Sequence, residues 1–398
     1  FGQIFFNTLL KASRVKCVFY LLCVAALCGC GAKSNNHVPA SQKDSTLLPT
    51  AYLSKKEYDQ YHQLVKNYLN ATLLRGRFNG AILVAKNGVP VYEEYQGFHN
   101  FQTRDSLNEH TPIQIASTSK PFTAAAVLQQ VAAGKMALND PVTKFFPGFL
   151  YPEVTVKMLL NHRSGLPNYL YYMEQDKRWD RRRTATNEDV VNSLVTWHVP
   201  RAYQPDRHFN YCNTNYVLLA SIVEKVTGMP FPQYVKERIF EPLGMKDTYV
   251  RTPADSAQSV LSANAGGGVW RPDFSDGPYG DKNVYSTPRD LLKWDQALYT
   301  NGILPQALLD SAFTPYSHER PGTHNYGLGW RLLMLPNDKK VIYHNGRWHG
   351  FTSAFARLTD ENVTVIILSN RFNKMVYPIS RKLYNLFGQY EGKIEIEE

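Results

Sequence analysis

Apolar positions change their spacing several times along the chain, and each change marks an element. From Tyr58 to Leu74 they fall at helical spacing (Tyr61, Leu64, Val65, Tyr68, Leu69), which predicts an amphipathic helix. Gly80 to Ala85 and Pro90 to Tyr95 read as two strands, with Asn87-Gly88 between them as a hairpin turn. Ser117 to Ala133 reads as a helix, with Pro121 tolerated in its first turn and Gly134 as its stop. The middle is helix-rich and irregular, with helical patterns over Val156 to Leu160, Glu188 to Thr196, Asn215 to Val226 and Phe231 to Ile239. Strand patterns return over Gly327 to Leu335, Lys340 to His344, Thr352 to Leu358 and Val363 to Leu368, in the manner of an antiparallel meander. A last amphipathic helix follows over Val376 to Leu386. Strands at both ends and helices between them predict an α/β fold. Residues 51–135 and 260–398 would build an antiparallel sheet flanked by helices, and 136–259 a mostly helical insertion. No internal repeat is evident.

The first thirty residues depart from this globular pattern. Lys11, Arg14 and Lys16 precede an apolar run from Val18 to Leu27. Ten residues cannot span a bilayer, but they suit the apolar core of an export signal. Leu27-Cys28-Gly29-Cys30 follows at once and resembles the lipobox of bacterial lipoproteins, which makes Cys30 the expected lipidation site. Residues 31–50 are polar and aperiodic, as in a flexible tether. The expected location is the bacterial cell envelope, periplasmic or outer face, with a lipid anchor holding the protein to the membrane. Of five cysteines only Cys212 lies beyond this segment, so no intramolecular disulfide framework is possible in the body. Aromatics at 13% mark a globular chain. Without the three basic residues of the leader, the formal net charge falls from +10 to +7. That favours anionic surfaces or substrates without selecting one.

The candidate chemistry begins at Ile115-Ala116-Ser117-Thr118-Ser119-Lys120. Ser-x-x-Lys alone is weak, since Ser13 to Lys16 repeats it inside the leader. Context separates the two: Ser117 follows the strand-like Ile113-Gln114-Ile115 and opens a helix, where the dipole favours developing negative charge. A lysine one turn later returns to the same face and reaches the hydroxyl, and desolvation favours the neutral amine that a base requires. Tyr211-Cys212-Asn213 ends a loop and precedes a helix, whereas Tyr-x-Asn also recurs at Tyr68, Tyr299 and Tyr343. A phenol at Tyr211 can relay protons. Asn213 can hold a substrate amide or the lysine, or can simply cap the helix. His344-Asn345-Gly346 stands at the end of one late strand and before another, where a glycine admits close approach of backbone to a substrate.

These elements, in this order, resemble the penicillin-recognising serine hydrolases, the superfamily of class C β-lactamases, D-alanyl-D-alanine carboxypeptidases, D-aminopeptidases and related esterases. The likeness runs over roughly residues 55 to 385 and takes in Leu159 to Pro167, Leu138 to Val142, Ser286 to Leu291 and Gly327 to Trp330. It implies a β-lactamase/transpeptidase-like sheet and an acyl-enzyme on Ser117, with Lys120 and Tyr211 managing its proton. The same resemblance implies an oxyanion hole from the backbone N–H groups of Ser117 and Arg347. Substrate contacts would come from Asn213, His344 and Gly346, and neither cofactor nor metal is implied. An amide, lactam or ester is the expected substrate. A carboxylesterase of the same fold and a non-turnover cell-wall-peptide binding protein are the alternatives. His344 replaces the lysine that helps bind a substrate carboxylate in true β-lactamases, and Arg347 and Cys212 stand where smaller residues are usual.

Other features carry less. Lys177, Arg178, Arg181, Arg182 and Arg183 are interleaved with Glu174, Asp176 and Asp180, which reads as an internally paired, solvated face. Gly266-Gly267-Gly268 lacks the Lys-Ser/Thr of a phosphate loop, no His-Glu-x-x-His zinc signature exists, and no Gly-x-Ser-x-Gly elbow is present. A small-molecule or peptide substrate, no nucleic acid and a monomer are expected.

Overall fold

The computed structural model describes residues 52–255 and 259–391. The leader, the tether and Cys30 lie outside the described residues. Helix α1 (Lys55–Ala71) opens on a capping box in which Ser54 accepts from the Glu57 amide. Strands β1 (Gly80–Lys86) and β2 (Val89–Gln96) then form a hairpin. Its turn, Asn87 at φ 52° and Gly88 at φ 74°, is the left-handed pair expected of Asn-Gly. Strand β3 (Ile113–Gln114) leads into a 3₁₀ turn over Ala116–Ser119 and then α2 (Lys120–Ala132). The middle contains α3 (Val156–Leu160), α4 (Tyr169–Gln175), α5 (Asn187–Thr196), α6 (Thr214–Thr227) and α7 (Phe231–Val235). Strand β4 (Tyr249–Val250) and β5 (Val284–Ser286) precede α8 (Pro288–Ala297) and α9 (Gln306–Ala312). Then come β6 (His324–Tyr326), β7 (Arg331–Met334), β8 (Lys340–Trp348), β9 (Phe351–Leu358), β10 (Val363–Ser369) and α10 (Val376–Leu383).

Seven strands form one antiparallel sheet in the order β2-β1-β10-β9-β8-β7-β6, so the first hairpin docks beside the last strand. Alternate residues of β1 and β10 face opposite layers. Ile82, Val84, Val365 and Ile367 pack with Val65 and Leu69 of α1 and with Val376 and Leu383 of α10. Leu83, Ile366 and Leu368 face the other way, toward Phe122 of α2, Leu218 of α6 and Trp294 of α8. Covering both faces explains why β9 and β10 are buried along their whole length. Helices α2 and α6 are apolar nearly all round and run through the interior of the helical layer.

Several features differ from the sequence reading. Gly327 to Leu335 is not one strand: residues 327–330 turn between β6 and β7, and only Arg331–Met334 is extended in the sheet. Strand β8 does not stop at His344 but continues through Asn345-Gly346 to Trp348, in register with β9. The break suggested by Asn-Gly is absent because Gly346 is paired with Ser353 within the ladder. A second sheet, β3-β5-β4, joins strands of two or three residues, too short to leave a periodic signal. Helix α8, capped by Thr287, which accepts from the Asp290 amide, stands where the apolar pattern predicts no element.

Candidate active site

Ser117 lies in the 3₁₀ turn at the head of α2, just beyond β3. The turn is sharp, and Ala116 sits in the left-handed region at φ 48°, a conformation that costs a non-glycine residue on the order of 1 kcal/mol. Surrounding bonds hold it there. Thr118 Oγ1 donates to the His344 carbonyl at 3.1 Å, and Ser353 Oγ donates to the Ile115 carbonyl at 2.7 Å. Both acceptors and donors are buried, so the turn is bolted to β8 and β9.

Lys120 opens α2 and is fully buried (0% exposed). Its Nζ lies 3.1 Å from Ser117 Oγ, 2.8 Å from Asn213 Oδ1 and 2.8 Å from the Asp281 carbonyl. It also sits over the rings of Tyr211 (5.0 Å) and Tyr216 (5.5 Å). Asn213 occupies the N-cap position of α6 but makes no side-chain capping bond. Its amide oxygen accepts from Lys120 instead. Tyr211 packs beside the lysine, its ring tilted by 37° against that of His162 with 4.3 Å between centroids. His162 in turn accepts from the Cys212 amide through Nδ1 at 3.1 Å, fixing the Tyr-Cys-Asn segment from below. Cys212 points away, its Sγ donating to the Leu166 carbonyl at 3.4 Å, and burial pushes its thiol up to about 11.

Gly346 lies directly against the serine turn. A Cβ there would lie 2.3 Å from the Ile115 carbonyl and 2.9 Å from the Ser117 amide nitrogen, so a larger residue fits only if backbone moves. Tyr377 Oη donates to the Gly346 carbonyl at 2.7 Å and steadies the strand. The guanidinium of Arg347, the next residue, lies over the Phe372 ring at 4.8 Å. His344, read from the sequence as a substrate contact, has no exposed surface. Its Nε2 meets Tyr326 Oη at 3.0 Å and its Nδ1 the Asn345 carbonyl at 2.7 Å. Burial, then Arg331 and Lys120, holds its pKa well below 6.5, and burial and Lys120 do the same to His162. Both rings are therefore neutral.

Two partners were not foreseen. The Asp281 carbonyl is a main-chain group, which carries no residue-type signal. Arg331, whose guanidinium lies over the Tyr211 ring at 5.2 Å, directly follows the Gly-Leu-Gly-Trp landmark, and its position was the available clue. The basic stretch of the insertion is largely paired: Arg178 with Asp176, Arg182 with Asp180 and Arg183 with Asp189. Asp273, Asp276 and His349 bring ligand atoms within 4.8 Å of one another. The Asp276 carboxylate already accepts from Trp348 Nε1 at 2.6 Å and lies 2.9 Å from His349 Nε2, which braces the β8–β9 turn.

An antiparallel sheet with a serine–lysine pair at the head of the buried helix beside it defines a recognisable class. The solved penicillin-binding protein of Bacillus halodurans shares the fold with a TM-score of 0.70 at 24% identity, over 82% of this chain and 99% of that one. So does D-amino acid amidase from Ochrobactrum anthropi SV3, with a TM-score of 0.66 at 24% identity over 82% and 98%. Penicillin-binding protein 4* of Bacillus subtilis (strain 168) is 33% identical over 333 residues, 79% of this chain and 73% of that protein. The family model described as Beta-lactamase matches residues 62–388. The chain belongs to the β-lactamase family.

Proposed function

We propose that the protein is a serine hydrolase that cleaves an amide, lactam or ester through an acyl-enzyme on Ser117. The observation that carries this reading is the set of partners around Lys120 Nζ. Lys120 Nζ lies within hydrogen-bond distance of three oxygens: Asn213 Oδ1 and the Asp281 carbonyl, each at 2.8 Å, and Ser117 Oγ at 3.1 Å. The first two can only accept, so Ser117 Oγ is the partner with which Lys120 can exchange a proton. Lys120 takes the hydroxyl proton as Oγ attacks the carbonyl carbon. The resulting oxyanion accepts from the amides of Ser117 and Arg347, which the contact at Gly346 keeps on adjacent segments. Tyr211, packed against Lys120, passes the proton to the leaving group. Water then hydrolyses the acyl-enzyme by the same steps in reverse.

A carboxylesterase of the same fold is the second reading, favoured by the burial and neutrality of His344. That residue supplies no cation for a substrate carboxylate where true β-lactamases have lysine. Turnover of a chromogenic cephalosporin, a D-alanyl-D-alanine peptide and a short-chain nitrophenyl ester, measured side by side, separates the two. Ser117→Ala is expected to lower every rate by at least ~10³-fold, and turnover surviving in that variant overturns the assignment. Absence of turnover together with absence of labelling by an activated fluorophosphonate leaves a binding protein. We place the protein on the cell envelope through Cys30. The name of the Bacillus subtilis relative, a penicillin-binding protein, supports an envelope setting. Incorporation of a palmitate analogue that Cys30→Ser abolishes is the expected result, and labelling that persists in Cys30→Ser refutes the anchor.

A further inference from the structure

Lys282 is a buried lysine that the chemistry above does not use. It is 2% exposed, and its Nζ lies over two ring faces, Trp348 at 4.5 Å and Tyr169 at 5.1 Å. The Nζ donates to Tyr169 Oη and is 3.4 Å from Asp281 Oδ2, and the Tyr169 hydroxyl donates to that same carboxylate oxygen at 3.2 Å. Burial pushes the Lys282 amine down, and the neighbouring Asp281 carboxylate pulls it back up. A lysine placed this deep destabilises the fold unless its partners are all in place.

Each of its three neighbours adjoins one working part of the site. The Asp281 carbonyl is an acceptor of Lys120 Nζ, at 2.8 Å. The Tyr169 amide donates to Thr214 Oγ1 at 2.8 Å, and Thr214 directly follows Asn213, the other acceptor of Lys120. Trp348 directly follows Arg347 on β8, whose amide is assigned to the oxyanion. The segment carrying Lys282 is itself tied to the turn around Ser117. Thr123 Oγ1 donates to the Gly280 carbonyl at 2.7 Å, and the Val284 amide to Ser119 Oγ at 3.1 Å.

We propose that Lys282 is a positioning residue that locks these three segments together, setting the acceptors of Lys120 and the Arg347 amide against Ser117. It touches no reacting atom and acts through Asp281, Tyr169 and Trp348. The assignment rests on the proposed roles of Ser117 and Lys120.

The test measures kcat and KM for a nitrophenyl ester in wild type, Lys282→Met, Lys282→Arg and Asp281→Asn/Lys282→Met. Rates are expressed per site titrated by an activated fluorophosphonate, so loss of folded protein is divided out. A displacement of about 1 Å at a reacting centre costs ~10²-fold. Lys282→Met is therefore expected to lower kcat by about 10- to 100-fold with KM within about threefold, and Lys282→Arg to recover most of the loss. If Lys282→Met does not fold, the double variant, which leaves no unpaired carboxylate, is read in its place. A kcat per titrated site within about twofold of wild type in either overturns the proposal. Ser117→Ala runs alongside: turnover surviving there overturns the assignment of the nucleophile, whereas an inactive Ser117→Ala with a fully active Lys282→Met overturns only the role of Lys282.

Discussion

Replacing Gly346 with alanine tests whether β8 and the serine turn act as one unit. The added methyl would stand 2.3 Å from the Ile115 carbonyl, 2.4 Å from Ser353 Oγ and 2.9 Å from the Ser117 amide nitrogen. Restoring ordinary contact requires the strand to retreat by about 1 Å, because two of the three neighbours are backbone atoms that cannot rotate aside. Overpacking of this kind costs roughly 1–3 kcal/mol of stability, a drop of a few degrees in Tm. The larger effect falls on catalysis. Moving one oxyanion donor out of range costs ~10²- to 10³-fold in kcat, so Gly346→Ala is expected to lose that much while a substantial folded fraction persists. The assay is kcat and KM on a nitrophenyl ester together with thermal unfolding by circular dichroism. A variant with kcat within about fivefold of wild type would refute the claim that this contact sets the geometry.

Two further outcomes follow from the same contacts. Asn213→Ser is expected to lower kcat by about 10- to 100-fold; serine caps helices well, so a wild-type rate would mean that Asn213 serves α6 and not Lys120. His162 and His344 are held neutral in the folded chain, whereas in the unfolded chain they titrate near 6.5. Protons then bind the unfolded state preferentially as pH falls below 6.5, so stability present above that pH is lost at up to about 1.4 kcal/mol per pH unit for each ring. Urea midpoints measured from pH 7.5 to 5 check this, and the slope should flatten in His344→Gln.

Much of the fold was legible because its longer elements carry strong periods. Residues 156–160 were read to the residue, and Asn87-Gly88 announced its hairpin. The reading weakened where tertiary contact overrides local signal. Gly346 resembles a strand end in sequence, yet it is a glycine in mid-strand because another backbone needs its space. Asn213 had the composition of a cap and the position of a cap, and only the location of Lys120 Nζ decides otherwise. His344 stands in the sequence where true β-lactamases have lysine; in the structure it is fully buried against Tyr326. The Asp281 carbonyl lay beyond any residue-type argument, since every residue has one.

The bolts around Ser117 have a kinetic consequence. Thr118 joins the carbonyl of His344, 226 positions later, and Ser353 joins that of Ile115 across 238. Contacts of such separation form late, after the chain has met the entropy of closing a very large loop. The strained turn at Ala116 is tied to β5 through the Val284 amide and Ser119, but its bonds to the His344 carbonyl and to Ser353 wait for β8 and β9. A chain ending at α8 carries Ser117, Lys120 and both other partners of Lys120 Nζ, but lacks the strand that bears Gly346 and Arg347. On the proposed mechanism the oxyanion site is therefore the last part to be completed, because the Arg347 amide lies on β8.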